Sequence, residues 1–307
     1  MALHGLASVT IGVPDVASNR SYYLDFGLRA DEDGWLCTAD GGRQLRLVER
    51  AYRQLVEVVV RAENAEDLGR IGAALSRLGV PYEPAGDAVS VVEPISGARV
   101  VIRVVPELGQ RGEPRAACNG AGRVERAGRR ADGILRTAPV RPRRLGHAVL
   151  GSTDLAASMR FFVDGLGFKV SDYIGDKGAF LRCSDEHHNI LVLAAPVSFL
   201  HHTSWQVDDV DEIGRGATAM LAGHPERHVW GLGRHHAGSN FFWYLKDPAG
   251  NFSEYFADMD CGIDDQLWKP EVFDGDQGLY NWGPPPPPSF LHPDDLAELM
   301  IGSHSGD

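Results

Sequence analysis

The alternation of apolar and turn-forming residues near the C-terminal end of the second half predicts a β-hairpin. An apolar run at 241–245 is followed by Asp-Pro-Ala-Gly-Asn at 247–251 and by a second strand-like stretch at 252–256. Proline fixes φ, and glycine or asparagine tolerates the positive φ of tight turns. With the third turn residue at the centre, we expect Tyr244 and Glu254 to lie opposite each other on one face of the hairpin.

Glu254 is an unusual residue for the centre of a strand that is otherwise rich in aromatic side chains. An unpaired buried carboxylate is costly, so the Glu254 side chain needs a partner. We interpret this partner as a metal ion.

The order of strand, turn and helix occurs twice along the chain. Residues 6–28 read as a strand, a turn and a helix, and residues 145–168 repeat this order. Asp15 and Asp154 follow the two strands, which places the copies 139 residues apart. A second strand–helix unit follows in each half, and short strands close every unit. Since internal repeats indicate repeated structural units, the predicted fold is α+β, with four βαβββ modules in two domains.

The chain is predicted to contain four segments: an N-terminal pair of modules that binds no metal (1–106), a connector (107–144), a C-terminal catalytic pair (145–260) and a proline-rich tail (261–307). The connector holds ten arginines but no interleaved aromatic residues. This composition favours a solvated linker, in contact with an acidic surface, over a nucleic-acid site. The proline run of the tail is typical of a polyproline II spacer. We expect the tail to cover a sheet edge or subunit surface, and assign it no chemistry.

Composition and charge narrow the class of protein. A hydrophobic content of 43% and a charged content of 23% are typical of a globular protein, and the net charge of −12 disfavours general nucleic-acid binding. No apolar run approaches the roughly 18 residues that cross a membrane, and the N-terminus lacks a signal-peptide pattern. The cysteines are widely separated, which indicates reduced thiols and a cytoplasmic location. They are Cys37, Cys118, Cys183 and Cys261.

The repeat identifies His147, His202 and Glu254 as candidate metal ligands at equivalent strand positions. Their counterparts in the N-terminal half are Ser8, Glu57 and Val101. Two imidazoles and a carboxylate form the facial triad of non-haem Fe(II) oxygenases, and Mn(II) accepts the same ligand types. A hydrogen-bonded core role is the simpler interpretation for any one histidine. Three ligand types at three repeat-equivalent positions favour the metal site.

The motifs around these residues resemble those of type I extradiol ring-cleaving dioxygenases of the vicinal oxygen chelate superfamily. They are Leu145-Gly146-His147, Glu186-His187-His188-Asn189, Leu200-His201-His202, Gly233-Arg234-His235 and the hairpin from Tyr244 to Glu254. The resemblance covers the whole two-domain plan, and the site motifs are confined to the C-terminal domain. It implies that the active site lies there, with His147, His202 and Glu254 as the iron ligands.

The resemblance also implies roles for three further residues. His188 would be the acid–base residue, and His235 and Tyr244 would form hydrogen bonds around the substrate. His187 competes with His188 for its role, and strand alternation is expected to turn only one of the two toward the metal. His201 is likewise expected to face away from it.

The expected reaction inserts both atoms of O2 into a catecholic ring and gives a ring-opened semialdehyde. Trp230 occupies the region where arylacetate-cleaving members carry an arginine for the substrate carboxylate. Together with the aromatic residues 241–243, it favours a neutral aromatic substrate. Because members of the family commonly assemble, a homo-oligomer is expected, with neither a nucleic acid nor a membrane as partner.

Two other functions are compatible with these residues. A metal-dependent isomerase, epimerase or lyase of the same superfamily would use the triad to polarise a carbonyl or enediolate. A non-catalytic protein that binds small molecules would keep only the fold, as the N-terminal half does after losing all three ligands. Oxygen consumption separates the dioxygenase from both alternatives.

Overall fold

Four βαβββ units make up most of the chain in the computed structural model, which describes residues 3–110, 112, 116–274 and 279–304. The first unit consists of β1 (Leu3–Val13), α1 (Val16–Asp25), β2 (Arg29–Ala30), β3 (Leu36–Thr38) and β4 (Gly42–Glu49). The second consists of β5 (Gln54–Ala62), α2 (Ala65–Leu78), β6 (Tyr82–Ala85), β7 (Ala88–Val92) and β8 (Arg99–Val104).

The C-terminal half repeats this order after a short connector helix, α3 (Asp132–Leu135). The third unit consists of β9 (Arg144–Ser152), α4 (Leu155–Arg160) with a π-helical turn (Phe161–Gly165), β10 (Lys169–Ile174), β11 (Gly178–Arg182) and β12 (Ile190–Ala194). The fourth consists of β13 (Phe199–Gln206), α5 (Val210–Leu221), a 3-10 turn (Pro225–Arg227), β14 (His228–Arg234), β15 (Phe241–Lys246) and β16 (Phe252–Ala257). The tail adds β17 (Val272–Phe273), α6 (Pro288–Leu291) and α7 (Leu296–His304).

Each pair of units forms one mixed sheet that is symmetric about a central antiparallel pair. The N-terminal order is β2-β3-β4-β1-β5-β8-β7-β6, and the C-terminal order is β14-β15-β16-β13-β9-β12-β11-β10-β17. The predicted α+β architecture of four modules is confirmed. The tail strand β17 covers the edge strand β10. The segment boundaries at 106, 144 and 260 stay predictions.

Equivalent aspartates begin the first helix of each half. The side chain of Asp15 accepts the backbone N–H of Ser18 at 2.9 Å, and that of Asp154 accepts the backbone N–H of Ala157 at 2.9 Å. Such N-caps satisfy backbone donors that have no partner within the helix. The repeated aspartate therefore marks the same local structure twice, as the sequence predicts.

Strand register reproduces the internal repeat at the positions of the candidate ligands. In the C-terminal sheet, Ser204 of β13 pairs with His147 of β9 and with Glu254 of β16. The same positions in the N-terminal sheet are Val59, Ser8 and Val101. Of the repeat-equivalent residues, Glu57 is held in an ion pair with Arg99 at 2.5 Å. The alignment of the two halves is therefore confirmed by the hydrogen-bonded ladders.

The two halves share a hydrophobic core that fixes the strand carrying Glu254. The rings of Phe26 and Tyr255 stack with centroids 3.9 Å apart, and the Tyr255 hydroxyl donates to the Phe26 carbonyl at 2.7 Å. The hydroxyls of Tyr22 and Ser253 lie 2.5 Å apart. Both chain neighbours of Glu254 are thus anchored on the N-terminal half, so β16 has little freedom to move.

The connector arginines contact acidic side chains of the folded domains. Arg136 pairs with Asp209 at 2.7 Å, Arg143 pairs with Asp40 at 2.7 Å, and Arg144 also forms an ion pair in the C-terminal half. The predicted contact with an acidic surface is therefore present, although residues 111 and 113–115 of the connector lie outside the described residues. No helix in the described part of the chain is long and apolar enough to cross a membrane.

Candidate metal centre and catalytic site

One row of side chains crosses five strands of the C-terminal sheet. Neighbouring strands pair His147 with Ser204, Ser204 with Glu254, Glu254 with Tyr244, and Tyr244 with Trp230. Directly paired residues project from the same face of a sheet. The predicted opposition of Tyr244 and Glu254 is confirmed, and the row places a carboxylate between an imidazole and a phenol.

His202 completes a triangle with two members of this row, because it lies two residues from Ser204 and shares its face. The Nε2 atoms of His147 and His202 are 3.4 Å apart. The Oε2 atom of Glu254 lies 3.1 Å from His147 Nε2 and 3.6 Å from His202 Nε2. Two ligands about 2.1 Å from one ion, at right angles, are about 3 Å apart. The triangle has the size of three ligands on one face of an ion.

The surroundings of Glu254 fit a bound cation. The side chain is fully buried, and Oε2 has no hydrogen-bond partner among the described residues. Oε1 accepts from Asn240 Nδ2 at 3.2 Å. Burial acts to raise the pKa of Glu254, but the adjacent imidazoles of His147 and His235 hold that pKa well below its ordinary value. An ionised, buried oxygen facing two imidazole nitrogens is suited to a divalent metal.

A second histidine orients the candidate ligand His202. His201 Nε2 lies 2.6 Å from the Phe290 carbonyl oxygen, and His201 Nδ1 lies 2.7 Å from His202 Nδ1. Because a carbonyl only accepts, His201 donates through Nε2 and accepts through Nδ1. His202 then carries its proton on Nδ1 and presents the Nε2 lone pair to the triangle. His201 is buried and lines the cavity, so the expectation that it faces away is wrong. A bulge in β13 between Leu200 and His202 interrupts the simple alternation.

His235 and Tyr244 form a hydrogen-bonded pair beside Glu254. The Nδ1 atom of His235 contacts the Leu279 carbonyl oxygen, which only accepts, and His235 Nε2 lies 2.9 Å from the Tyr244 hydroxyl. His235 therefore donates through Nδ1, and Tyr244 donates to Nε2. Burial raises the pKa of Tyr244 well above its ordinary value, so the phenol stays protonated.

His188 projects from the loop between β11 and β12, and its ring centroid lies 4.2 Å from that of His147. His187 turns instead toward Asp172, with Nε2 2.7 Å from Oδ2. Both histidines are buried. Strand alternation is the wrong reason for this division, because neither residue lies in a strand. Asn189 closes the loop by accepting the backbone N–H of Cys183 at 2.8 Å.

Gly146 makes room for the packing around His147. A Cβ atom at this position would lie 2.4 Å from the ring of Phe256. The Phe256 ring in turn lies beside His147, with centroids 5.5 Å apart. The glycine of the Leu-Gly-His motif thus lets an aromatic ring pack against the candidate ligand His147.

These residues open into a cavity of about 480 Å³. Its apolar wall includes Val149, Ile174, Phe180, Leu191, Ala237 and Phe290. The aromatic residues favoured from the sequence as substrate contacts do not line it: Trp230 is buried behind Tyr244, with the two rings stacked at 5.6 Å. Residues 241–243 are likewise absent from the described lining.

The tail supplies part of the site, contrary to the expectation that it has no chemical role. Phe290 is buried against Tyr244 with ring centroids 4.7 Å apart. The carbonyls of Leu279 and Phe290 accept from site histidines, as described above. Arg53 of the N-terminal half holds the tail through Asp295 at 2.5 Å. No local sequence signal connects Arg53 with Asp295, since 242 residues separate them.

Comparison with known proteins places this fold and site in a family. The family model of the Glyoxalase/Bleomycin resistance protein/Dioxygenase superfamily matches residues 144–255. Metapyrocatechase 2 of Cupriavidus necator is 31% identical over 300 residues, covering 94% of this chain and 92% of the relative. The Mn(II)-bound glyoxalase from Novosphingobium aromaticivorans has a TM-score of 0.76 at 24% identity and covers 95% of each chain. A variant of homoprotocatechuate 2,3-dioxygenase from Brevibacterium fuscum has a TM-score of 0.75 at 20% identity, covering 94% of this chain and 81% of that one.

The two solved structures share the fold of this chain. The match of residues 144–255 to the superfamily model, together with the full-length relative, makes the chain a protein of the vicinal oxygen chelate class. The similarity to Metapyrocatechase 2 extends over nearly the whole length of both proteins. The chain belongs to the extradiol ring-cleaving dioxygenases of this superfamily, and its reaction class is extradiol ring cleavage.

Proposed function

We propose that the protein uses Fe(II), held by His147, His202 and Glu254, to cleave an uncharged, substituted catechol beside its hydroxyl pair. The triangle of ligand atoms around the unpartnered Glu254 oxygen is the observation that carries this proposal. The bound ion supplies open coordination positions for the catechol oxygens and O2 and lowers the pKa of the hydroxyls. Mn(II) accepts the same donor set, and the solved glyoxalase neighbour contains Mn(II).

Tyr244 and His235 hold one catechol oxygen in a defined protonation state. The Tyr244 proton is directed to His235 Nε2, which leaves the phenolic oxygen free to accept a hydrogen bond. A catechol hydroxyl that donates to this oxygen keeps its proton. The pair would therefore bind the substrate as a monoanion, with the second hydroxyl deprotonated.

His188 is the base for that second hydroxyl. Burial, together with the neighbouring imidazoles, keeps the pKa of His188 well below its ordinary value. The side chain is therefore neutral at pH 7, with a lone pair on one ring nitrogen. Its place against His147 puts it beside the ion site, where it can return the proton to an oxygen of the opening ring.

The cavity wall favours a catechol with an apolar substituent. Aliphatic and aromatic side chains of β9, β11 and β12 line the space together with Phe290. The charged residues among the described lining, Asp176, Lys177 and Asp274, are confined to the loop after β10 and the residue after β17. This lining resembles a site for a neutral ring more than a site for a carboxylate, in keeping with the name of the relative Metapyrocatechase 2.

An isomerase or lyase is the second candidate, because the solved glyoxalase has the same fold. Those reactions need no O2. The Tyr244–His235 pair and His188 surround the metal triangle in a way that suits a substrate with two adjacent hydroxyls. We therefore place the dioxygenase first.

Anaerobic loading with Fe(II), followed by addition of catechols and O2, tests the proposal. We expect one O2 consumed per catechol and a yellow semialdehyde. Glu254→Gln should lose bound metal and at least about 100-fold in activity, because a ligand to the ion is removed. Glu57→Gln, at the repeat position equivalent to His202, is the matched control and should keep both the bound metal and the activity. Ring opening by none of a diverse catechol panel, with a full equivalent of iron bound, would overturn the proposal.

A further inference from the structure

A chain of polar contacts leads from His188 to a buried carboxylate on β10. His188 Nδ1 lies 3.0 Å from His187 Nδ1, and His187 Nε2 lies 2.7 Å from Asp172 Oδ2. Asp172 Oδ1 accepts the backbone N–H of Glu271 at 2.7 Å. Asp172, His187 and His188 are all buried. They form a buried path that extends away from the metal triangle.

The order of donors and acceptors along this path follows from its end. A carboxylate accepts and cannot donate, so the His187 proton resides on Nε2 and His187 Nδ1 becomes an acceptor. His188 must then carry its proton on Nδ1. Its Nε2 atom is left with a lone pair, which is the form that a general base needs.

We infer that Asp172 and His187 are positioning residues that set the tautomer and ring orientation of His188. This inference rests on the proposed acid–base role of His188. Neither residue belongs to the lining of the cavity or to the triangle of candidate metal ligands. They act by determining which nitrogen of His188 is available, as the second partner of an imidazole does in metal sites and catalytic triads.

The surrounding structure holds His187 in place for this role. Its backbone N–H donates to the Asp260 carbonyl at 2.8 Å. Gly238 has φ +81° and packs against the ring, since a Cβ atom there would lie 3.2 Å from His187 Nδ1 and 2.8 Å from Met259 Sδ. The ring of Trp268 packs edge-on against His187, with centroids 5.5 Å apart. The His187 ring therefore has a fixed plane, which a hydrogen bond between two Nδ1 atoms requires.

Asp172→Asn reverses the direction of hydrogen-bond donation along the path and keeps the shape of the side chain. The amide oxygen must accept the Glu271 N–H, because an amide nitrogen cannot. The NH2 group then faces His187 Nε2 and makes it an acceptor. His187 would donate through Nδ1 to His188 Nδ1, which leaves the proton of His188 on Nε2. The substitution thus changes the tautomer of His188 without touching it.

The test combines nitrogen-15 NMR with kinetics. In protein labelled at histidine and loaded with diamagnetic Zn(II), we expect the wild type to show His188 protonated on Nδ1. Asp172→Asn should show protonation on Nε2. In the iron-loaded enzyme the same variant should lose kcat by on the order of 100-fold, the scale of general acid–base catalysis, with KM changed less than about threefold. Asp25→Asn makes the same change at an exposed carboxylate that pairs with Arg227 and serves as the matched control, with kcat within about threefold of wild type.

His187→Asn supplies a second variant, with its fold checked by thermal unfolding. The Asn oxygen takes the place of Nδ1 and accepts from His188, so at least a tenth of kcat should be retained. Protonation of wild-type His188 on Nε2, or an unchanged tautomer in Asp172→Asn, would overturn the inference. The NMR result does not depend on turnover, so failure of the wild type to open any catechol would refute the proposed function separately.

Discussion

Replacing Phe290 by alanine tests whether the tail forms a wall of the substrate cavity. The ring is 4% exposed and packs against Trp230, Tyr244 and His201, with centroids 4.7, 4.7 and 4.8 Å away. Its backbone carbonyl, which accepts from His201, remains in the variant. The substitution therefore removes the wall and keeps the hydrogen bond from His201, which orients the proposed ligand His202.

The expected loss of stability follows from the packing of this ring. Replacing a buried phenylalanine by alanine typically lowers the free energy of unfolding by about 3–5 kcal/mol, because apolar burial is lost and a void is left. Because the ring borders an existing cavity, the space it leaves is continuous with that cavity. We expect a loss near the lower end, about 3 kcal/mol in the free energy of unfolding. Leu291→Ala, at a position that also lines the cavity but is 44% exposed, should cost less than about 1 kcal/mol.

The assay compares urea unfolding with kcat/KM for unsubstituted and bulky substituted catechols. Phe290→Ala should favour the bulky substrate by on the order of tenfold relative to the wild type, the scale of a pocket change of this kind. Metal content should not change. Stability lost without any change in the substrate ratio would show that the ring is core rather than cavity wall. No loss of stability would refute the packing on which the reasoning depends.

Two further predictions concern residues outside the cavity. Burial raises the pKa of Asp247 to about 6, against hydrogen bonds from Asn251 that lower it, so the folded state favours the protonated form. The stability that the raised pKa of Asp247 contributes is full below the unfolded pKa of about 3.9 and is lost as pH rises through about 6. The loss amounts to at most about 3 kcal/mol in the free energy of unfolding. Relative to Asp247→Asn, the wild type should therefore lose free energy of unfolding between pH 4.5 and 7.5, as measured by urea unfolding. The same change with pH in both proteins would contradict this. Arg53→Met removes the buried cation that pairs with the tail residue Asp295. It should cost about 3 kcal/mol, the lower end for breaking a buried pair, and accelerate limited proteolysis of the tail. Arg99→Met, which removes an exposed arginine paired with Glu57, should do neither.

The sequence predicts the part of the site that is built from regular strands. Turn chemistry alone places Tyr244 opposite Glu254, and the structure pairs them. The repeat aligns His147 with Ser8, and the two ladders agree. Both predictions depend on local geometry, the two-residue period of a strand and the spacing of a duplication.

Other parts of the site depend on contacts that local patterns do not encode. The bulge in β13 lets His201 line the cavity, although alternation turns it away. Asp172 lies on β10, fifteen residues before His187 in the following loop, so nothing near the histidine indicates its partner. The role of Phe290 requires the tail to return across the C-terminal sheet. The proline run indicates that the tail is stiff, but it does not indicate where the tail packs.

The position of the bound metal tests the central claim most directly. Crystals of anaerobically iron-loaded protein, measured at the iron absorption edge, would locate the ion by its anomalous scattering. We predict a single peak bonded to His147 Nε2, His202 Nε2 and Glu254 Oε2, with His188 and Tyr244 on its open side. A peak elsewhere, or none at these three side chains when one equivalent of iron is bound, would contradict the proposed centre.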